Sequence, residues 1–175
     1  MRLRIAAIAI IVALGVGVCH AQNNLRIVIH KHERTLQLFS RDSLISSYPI
    51  ALGTNPNDPK RKSGDRCTPE GSYRICEKNA KSHFYLSLGL NYPNADDAER
   101  GLRDHLISHA QYAQIVSADL HRQKPLWNTA LGGEIMIHGG GTGQDWTWGC
   151  VALDNPNIKA LFENVPIGTT VEILH

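Results

Sequence analysis

The sequence has no excess of charge of either sign. Its 18 lysines and arginines and 16 aspartates and glutamates give a formal net charge of +2, and the only dense basic cluster is Lys60-Arg61-Lys62. A nucleic-acid-binding module needs a basic face or stripe, whereas a basic run this short is typical of a solvated loop. With 42% hydrophobic and 19% charged residues, the composition also argues against a disordered chain or a protein with several membrane spans.

The sequence also lacks several motifs that carry known chemistry. No GK[ST] follows the glycine-rich run at residues 139–143, which excludes a phosphate-binding P-loop. His105 and His109 are four positions apart, as zinc-binding histidines on a helix are, but the glutamate of an HExxH site is absent. No two cysteines have CxxC spacing, which argues against a redox pair and against a cysteine zinc site. We therefore expect no metal site.

The N-terminus has the features of an export signal. Arg2 and Arg4 precede an uninterrupted apolar segment at residues 5–18, which has the length of a signal peptide and is too short for a comfortable membrane span. In the segment Cys19-His20-Ala21, a cut after Ala21 would have small residues at the third and first positions before it. This pattern predicts cleavage there and export of the remaining chain.

This cut divides the chain into two parts. Residues 1–21 are the predicted signal peptide, and residues 22–175 are a single domain, long enough to form a hydrophobic core. Lipid attachment at Cys19 is disfavoured because Val18, rather than a small residue, precedes it. We expect no stable membrane insertion after cleavage, and an uncleaved anchor is the alternative.

Export changes what the cysteines indicate. Disulfides persist in oxidising compartments, and Cys67 and Cys76 flank a turn at residues 68–71, so the sequence predicts a bridge between them. A zinc site is the less favoured alternative. Pairing these two leaves Cys150 as an odd thiol, which needs a chemical explanation in an exported chain.

The hydrophobic pattern predicts a mainly β protein with one helical insertion. Alternation of apolar and polar residues indicates the strands, and Asn94 can cap a helix whose apolar stripe continues to about residue 122, with Gly101 interrupting it. Asn155-Pro156 opens a second, short helix. Strands are predicted at residues 25–30, 36–39, 44–52, 72–76, 84–90, 134–137 and 170–174.

His138 and Cys150 are the candidate catalytic pair. His138 ends a short apolar run, and Cys150 follows Gly149 after a glycine-rich loop, so two adjacent strands can bring the two side chains together. A neighbouring imidazole can take the proton of a thiol and activate it for attack. Gly149 would allow a substrate carbonyl to approach, and N–H groups at residues 148–150 would form an oxyanion hole. Taken alone, His138 would be interpreted as a core histidine, and Cys150 as a small buried hydrophobic residue.

Three segments carry a resemblance to a known family. His138-Gly139, followed by Thr147-Trp148-Gly149-Cys150-Val151-Ala152-Leu153, resembles the active-site signature of the L,D-transpeptidase family, which has a YkuD-like catalytic domain. Residues 68–75, reading TPEGSYRI, look like the TPxGxYxI strand of that family. Tyr92-Pro93-Asn94, Asp145-Trp146-Thr147 and the ending VPIGTTVEI at residues 165–173 are similar to the YafK-type branch.

The resemblance implies a β-sandwich with a helical insertion before the catalytic segment. It implies Cys150 as nucleophile and His138 as base, with the Gly139 carbonyl holding the imidazole and Thr147, Trp148 and Gly149 in support. The substrates would be peptidoglycan stem peptides in the periplasm, joined through a Cys thioester without any cofactor. Hydrolysis by the same machinery would trim stems or detach a wall-linked lipoprotein. A non-catalytic peptidoglycan-binding module is the alternative of another class.

Two positions depart from the family signature. Thr147 replaces the commoner serine and keeps its hydroxyl group. Ala152 replaces the commoner arginine, so bidentate recognition of a substrate carboxylate is lost at this place. The departures affect the expected substrate and the reaction outcome more than the catalytic pair.

Overall fold

The structure is a computed structural model that describes residues 24–175. The predicted signal peptide and Cys19 lie outside the described residues. Within them, no helix has both the length and the apolar character needed to cross a membrane.

The described residues contain eight strands and three helices. The early strands lie close to their predicted positions. The predictions for the first three strands and for the last are confirmed to within a few residues. The elements are β1 (Leu25–His30), β2 (Thr35–Ser40), β3 (Ser43–Pro49), β4 (Gly71–Ser82), β5 (Tyr85–Leu90), α1 (Ala95–Arg103), α2 (His109–Leu120), β6 (Met136–His138), β7 (Val151–Ala152), α3 (Asn155–Asn164) and β8 (Thr170–Leu174).

The strands form one curled sheet in the order β3-β2-β1-β8-β4-β5-β6-β7. Strand β4 connects the two halves, because Gly71–Arg74 pairs with β8 whereas the rest of the strand pairs with β5. Beyond β3, the two edges of the sheet meet where Ala51 and Ala152 exchange main-chain hydrogen bonds of 2.8 and 2.9 Å. The mainly β, sandwich-like architecture with a helical insertion is therefore confirmed.

One apolar core lies inside the curl and explains the alternating pattern. Ile27 and Ile29 on β1 are fully buried, as are Leu88 and Leu90 on β5. Both halves of the sheet contribute to this core, and the apolar face of α3 packs against it through Leu161. Burying alternate apolar residues of both halves favours the curled form over an open sheet.

The helical insertion is split, but not where the sequence suggested. Asn94 and Ser108 each begin a helix with a capping box, and the break lies between α1 and α2. Gly101 lies within α1, where an added Cβ would come 2.7 Å from Leu131 Cδ2. This glycine therefore allows close packing and does not interrupt the helix.

The predicted Cys67–Cys76 disulfide is wrong, because both cysteines are free thiols in the structure. Residues 68–71 are not a hairpin turn, since Gly71 begins β4 and pairs with β8. Cys76 lies five residues beyond Gly71 on that strand. At about 3.3 Å per residue, the two positions are about 17 Å apart. The two thiols also have different charged neighbours, Asp65 and Asp58 for Cys67 but Glu77 and Arg74 for Cys76.

Candidate active site

Strands β6 and β7 position the candidate pair. His138 is the last residue of β6, and Cys150 directly precedes β7. The two strands are parallel, with His138 opposite Ala152, so the intervening loop at residues 139–149 crosses back over the end of the sheet. His138 and Cys150 both line the same two cavities. The fold therefore brings together the two residues that the sequence singled out.

A main-chain carbonyl fixes the tautomer of His138. Its Nδ1 lies 2.6 Å from the carbonyl oxygen of Gly139, which can only accept, so Nδ1 carries the proton and donates. Nε2 is then the basic nitrogen. The Gly139 N–H donates in turn to the Phe84 carbonyl at 3.0 Å. This hydrogen bond holds Gly139 in place.

Two aromatic rings enclose the imidazole of His138. Phe84, in the turn between β4 and β5, stacks on it with ring centroids 4.7 Å apart and an interplanar angle of 25°. Trp146 meets the same ring edge-on at 5.5 Å, and its indole N–H donates to the Gly141 carbonyl at 3.1 Å. Burial lowers the pKa of His138 below its usual 6.5, partly opposed by the hydrogen bond to Gly139. The imidazole is therefore neutral at pH 7 and able to accept a proton.

Cys150 is a neutral thiol in the resting site. Burial raises its pKa to about 11, and the N–H of Met136, 3.4 Å from Sγ, only partly offsets this. The thiol lies 3.5 Å from the Glu134 carbonyl, to which it can donate. Because both members of the pair are neutral, proton transfer to His138 has to accompany attack.

The hydroxyl of Thr147 organises the turn that ends in Cys150. It donates to the Cys150 carbonyl at 2.7 Å and accepts from the Gly149 N–H at 3.1 Å. The Gly149 N–H is therefore already engaged, which leaves those of Trp148 and Cys150 as the donors for an oxyanion hole. A threonine at this position performs the bonding that any hydroxyl residue could provide.

Gly149 has a different role from the one expected. Its φ is +120°, and an added Cβ would lie 2.5 Å from the Cys67 carbonyl oxygen. The missing side chain therefore allows the Cys67 main chain, and not a substrate carbonyl, to pack against the turn. Trp148 is 73% exposed and forms the rim of the site, where the Arg66 guanidinium lies 5.3 Å above its ring.

An ion pair ties the loop at residues 139–149 to the first half of the sheet. Arg34 Nη2 lies 2.8 Å from Asp145 Oδ2, and Nε contacts both carboxylate oxygens at 3.2 and 3.1 Å. The other oxygen, Oδ1, accepts from the Leu52 N–H at 2.8 Å. Asp145 therefore fixes the loop immediately before Trp146 and Thr147.

Two cavities of different chemistry meet at the pair. An aromatic cavity of about 370 Å³ is lined by Phe84, Trp146, Thr147 and Trp148 in addition to His138 and Cys150. A polar cavity of about 300 Å³ lies on the other side. A larger one of about 590 Å³ borders the Arg34–Asp145 pair but contains neither catalytic candidate. Besides His138 and Cys150, the polar cavity is lined by Asn79, Lys81, Ser82, His83, Phe84, Ser87, Glu134 and Met136.

Ala152 is fully buried where the two sheet edges meet. It lines neither cavity beside Cys150. Any charged group that recognises substrate in this chain must therefore come from another element. Within residues 24–175, no three side chains of the kinds that ligate metals are grouped together.

Sequence reasoning missed the residues that hold the pair in place. Phe84 gave no signal, because an aromatic residue at a strand end is ordinary and its contact with His138 depends on the pairing of β5 with β6. Asp145 and Trp146 belonged to a motif of the resemblance, but the motif did not indicate their contacts.

Comparison with known proteins found a matching family model and several similar proteins. A family model described as the YkuD L,D-transpeptidase catalytic domain matches residues 24–173. YafK of Escherichia coli (strain K12), named as a candidate L,D-transpeptidase, is 28% identical over 145 residues, which cover 79% of this chain and 46% of that protein.

Solved structures share the fold. Bd1075 of Bdellovibrio bacteriovorus superposes with a TM-score of 0.56 at 23% identity, over 87% of this chain and 48% of that one. The helical cell shape determining protein Pgp2 of Campylobacter jejuni gives a TM-score of 0.59 at 20% identity, over 85% and 46%. The chain thus spans about half the length of the relatives that it matches.

Proposed function

Because the chain belongs to the L,D-transpeptidase catalytic-domain family, we propose that it is a cysteine-dependent acyltransferase acting on peptidoglycan stem peptides. Cys150 is the nucleophile and His138 the general base. The predicted signal peptide at residues 1–21 supports action in the periplasm, where these substrates are found. YafK is named as a candidate for the same activity.

The tautomer of His138 is the observation that carries this proposal. With Nδ1 committed to Gly139, only Nε2 can accept the Cys150 proton. Sγ then attacks the carbonyl carbon of the diamino-acid residue of a stem, and the oxyanion receives hydrogen bonds from the main-chain N–H groups of Trp148 and Cys150. The peptide C–N bond breaks, the imidazolium returns its proton to the leaving amine, and the terminal D-residue departs from a Cys150 thioester.

The second half of the reaction uses the same groups in reverse. Nε2 of His138 takes a proton from an incoming amine, which attacks the thioester carbonyl and displaces the Cys150 thiolate. Protonation of that thiolate by the imidazolium restores the resting pair. The new peptide bond joins the two stems, and no cofactor takes part.

The two cavities on either side of the pair support transfer between two peptides. A transferase needs one approach for the acyl donor and another for the amine, and Cys150 lies where both cavities open. Hydrolysis is the second candidate, because Cys150 is half-buried and water can reach the thioester. Its products would be trimmed stems or a lipoprotein released from the wall.

The test is incubation of the purified protein with defined stem tetrapeptides, with and without an amine acceptor. We expect a thioester detectable by intact mass and release of the terminal D-residue, followed by cross-linked product. Trimmed stems alone would favour hydrolysis. Cys150→Ala should abolish both signals, and Cys76→Ala is the matched control because Cys76 is a half-buried thiol on β4 that lines neither cavity. Binding without turnover by the unaltered protein would instead favour a non-catalytic wall-binding module.

A further inference from the structure

Lys60 is buried although it begins the basic cluster of the sequence. Arg61 and Lys62 are exposed, as expected of a solvated loop, but only 4% of Lys60 is accessible to solvent. Its ammonium group donates to the Asp65 carboxylate at 2.8 Å and to the Lys62 carbonyl at 3.1 Å. Lysine is seldom buried unless it is paired, so the ion pair is a built feature of the loop at residues 60–67.

Asp65 uses both carboxylate oxygens to shape this loop. Its Oδ2 accepts from the main-chain N–H groups of Arg61 and Lys62 at 2.7 and 2.8 Å. Its Oδ1 accepts from the Cys67 N–H at 3.1 Å as well as from Lys60. Burial would raise the pKa of this carboxyl group, but the hydrogen bonds from Lys60 and from the main chain lower it below its usual value. Asp65 is therefore an anion at neutral pH and fixes the conformation of the loop.

The end of the loop packs against the turn that carries the nucleophile. The Cys67 carbonyl oxygen takes the place of a side chain on Gly149, since an added Cβ there would lie 2.5 Å from it. The Arg66 carbonyl oxygen takes the same place at Gly53, which pairs with Thr147 at the start of the turn. The position of the loop main chain therefore determines how closely the turn can approach.

The middle of the loop contacts a second main-chain segment beside the nucleophile. The Ser63 N–H donates to the Ala130 carbonyl at 2.8 Å, and Lys60 Cε lies 3.4 Å from where a Cβ on Gly132 would be. This segment continues to Glu134, whose carbonyl oxygen lies 3.5 Å from the nucleophilic Sγ. One loop therefore contacts both main-chain segments that border the thiol.

We propose that Lys60 and Asp65 are positioning residues for Cys150. Their ion pair holds the loop at residues 60–67 against the turn and the segment that border Sγ, and so directs Sγ and the N–H groups of the oxyanion hole at the substrate carbonyl. Neither side chain lines the two cavities beside Cys150, so both act through the main chain and not on the substrate. This inference rests on the proposed function.

The ammonium group of Lys60 also acts on Cys150 through its charge. Burial raises the pKa of the thiol, and Lys60 partly opposes this effect. A charge effect alone would therefore slow thioester formation in Lys60→Met but not in Asp65→Asn, which keeps the ammonium group and removes its counter-ion. Positioning by the ion pair predicts that both variants are slowed.

The test is the single-turnover rate of thioester formation with a stem tetrapeptide, measured for Lys60→Met, Asp65→Asn and the double variant. Lys62→Met is the matched control, because it removes the same charge from an exposed position on the same loop. The double variant leaves no unpaired buried charge, so it gives the measurement even where Lys60→Met fails to fold. Melting curves give the folded fraction of each protein.

We expect the maximal rate per folded molecule to fall by about 10- to 100-fold in each single variant, because a displaced nucleophile loses its alignment. The double variant should be no slower, since the two residues act as a unit. The peptide concentration at half-maximal rate should stay within about twofold, because the cavities are untouched. A loss of stability at an unchanged rate, a slower rate in Lys60→Met but not in Asp65→Asn, an equal loss in Lys62→Met, or a change mainly in half-saturation would overturn the positioning and leave the proposed function intact.

Failure of the proposed function has a different signature. Should the unaltered protein form no thioester with any stem peptide, hydrogen exchange followed by mass spectrometry still tests the positioning. Faster exchange in Lys60→Met and Asp65→Asn, confined to the peptides that contain residues 60–67 and 147–152, would support it without the reaction. Exchange equal to that of the unaltered protein, or an increase shared with the peptide from β1, would overturn the positioning as well.

Discussion

The candidate active site and the helical insertion differ in how much their positions depend on polar and on apolar contacts. The site depends on directed hydrogen bonds, such as those of Asp145 with Arg34 and of His138 with Gly139. The insertion also has polar contacts, such as the hydrogen bond from Tyr73 to Asp97 at 3.1 Å, but it buries a small apolar cluster of its own that is separate from the main core. The members of that cluster are Ala98, Ile107, Ile115 and Leu131.

The contacts that fix the geometry of the site are therefore partly distinct from the contacts that stabilise the fold. A typical hydrogen bond contributes only about 0.5–1.5 kcal/mol net, but it fixes distances and angles. Apolar burial contributes about 25 cal/mol per Å² and has no directional preference. Substitutions at the site should therefore reduce activity more than stability, and substitutions in the insertion should do the reverse.

The largest expected effect is that of His138→Gln. Glutamine keeps a polar side chain of similar size but has no basic nitrogen, so thioester formation should slow by about 10²–10⁴. The measurement is the single-turnover rate of thioester formation by rapid-quench mass spectrometry, beside a melting curve. A rate within threefold of the unaltered protein would remove His138 from the chemistry.

The pH dependence of thioester formation and of Cys150 alkylation tests the same pair of residues in a second way. Because burial lowers the pKa of His138 below 6.5, the imidazole stays neutral down to the lowered value, and thioester formation should fall only below that pH. Because burial raises the pKa of Cys150 to about 11, its alkylation by iodoacetamide should keep rising up to that pH. Site-resolved mass spectrometry from pH 5 to pH 11 follows both reactions. An inflection in the alkylation of Cys150 near pH 9 would contradict the raised pKa of this thiol.

Leu131→Ala should have the largest effect on stability. Leu131 is fully buried against Gly101, and such truncations cost about 2–5 kcal/mol. Urea denaturation gives the free energy of unfolding, and turnover per folded molecule should be unchanged. Leu120→Ala on α2 is the control, because this leucine is 77% exposed and should change stability by less than about 0.5 kcal/mol. A large loss of turnover in folded Leu131→Ala would connect the insertion to the site.

A smaller effect is expected for Asp145→Asn. The neutral amide keeps one acceptor for the Leu52 N–H but loses the charge that binds Arg34. We expect turnover to fall by about tenfold because the loop loses its fixed position, with a stability loss of about 1–2 kcal/mol. Steady-state kinetics beside those of Asp42→Asn, in the β2–β3 turn, test this. Equal kinetics of the two variants would show that the ion pair does not position the loop.

The smallest expected effect is that of Ser108→Ala at the start of α2. The hydroxyl accepts from the Gln111 N–H at 3.2 Å, and loss of such a cap costs about 1 kcal/mol. Ser108→Asn should restore most of that stability, because asparagine caps equally well. Denaturation of both variants is the measurement, and a substantial loss of activity in either would contradict the separation of the two regions.

Local patterns in the sequence predicted much of the fold. The alternation in β1 and β5 and the capping asparagine at Asn94 each depend on contacts between near neighbours, and those elements were predicted close to where they lie. Strand β4 is longer than predicted, because residues 77–82 are mostly polar and their pairing with β5 contains bulges. The parallel pairing of β1 with β8 joins distant segments and leaves no local signal.

The site was predictable in part for the same reason. His138 and Cys150 belong to one short motif, whereas Phe84 reaches His138, and Arg34 reaches Asp145, only through strand pairing and loop closure. The Cys67–Cys76 error has this origin too, since the segment after Cys67 leads into a strand that pairs with β8 instead of folding back. The role of Gly149 depends on the Cys67 main chain, which no local pattern could indicate.

The parallel pairing of β1 with β8 has a consequence for the order of folding. The β1–β2–β3 meander can form early, but its edge at β1 stays unpaired until β8, which lies far along the chain, has inserted beside it. Pairing across so large a sequence separation is slow, because loop-closure entropy has to be overcome first. Insertion of β8 beside β1 is therefore expected to be a late step in folding, and it completes the first half of the sheet.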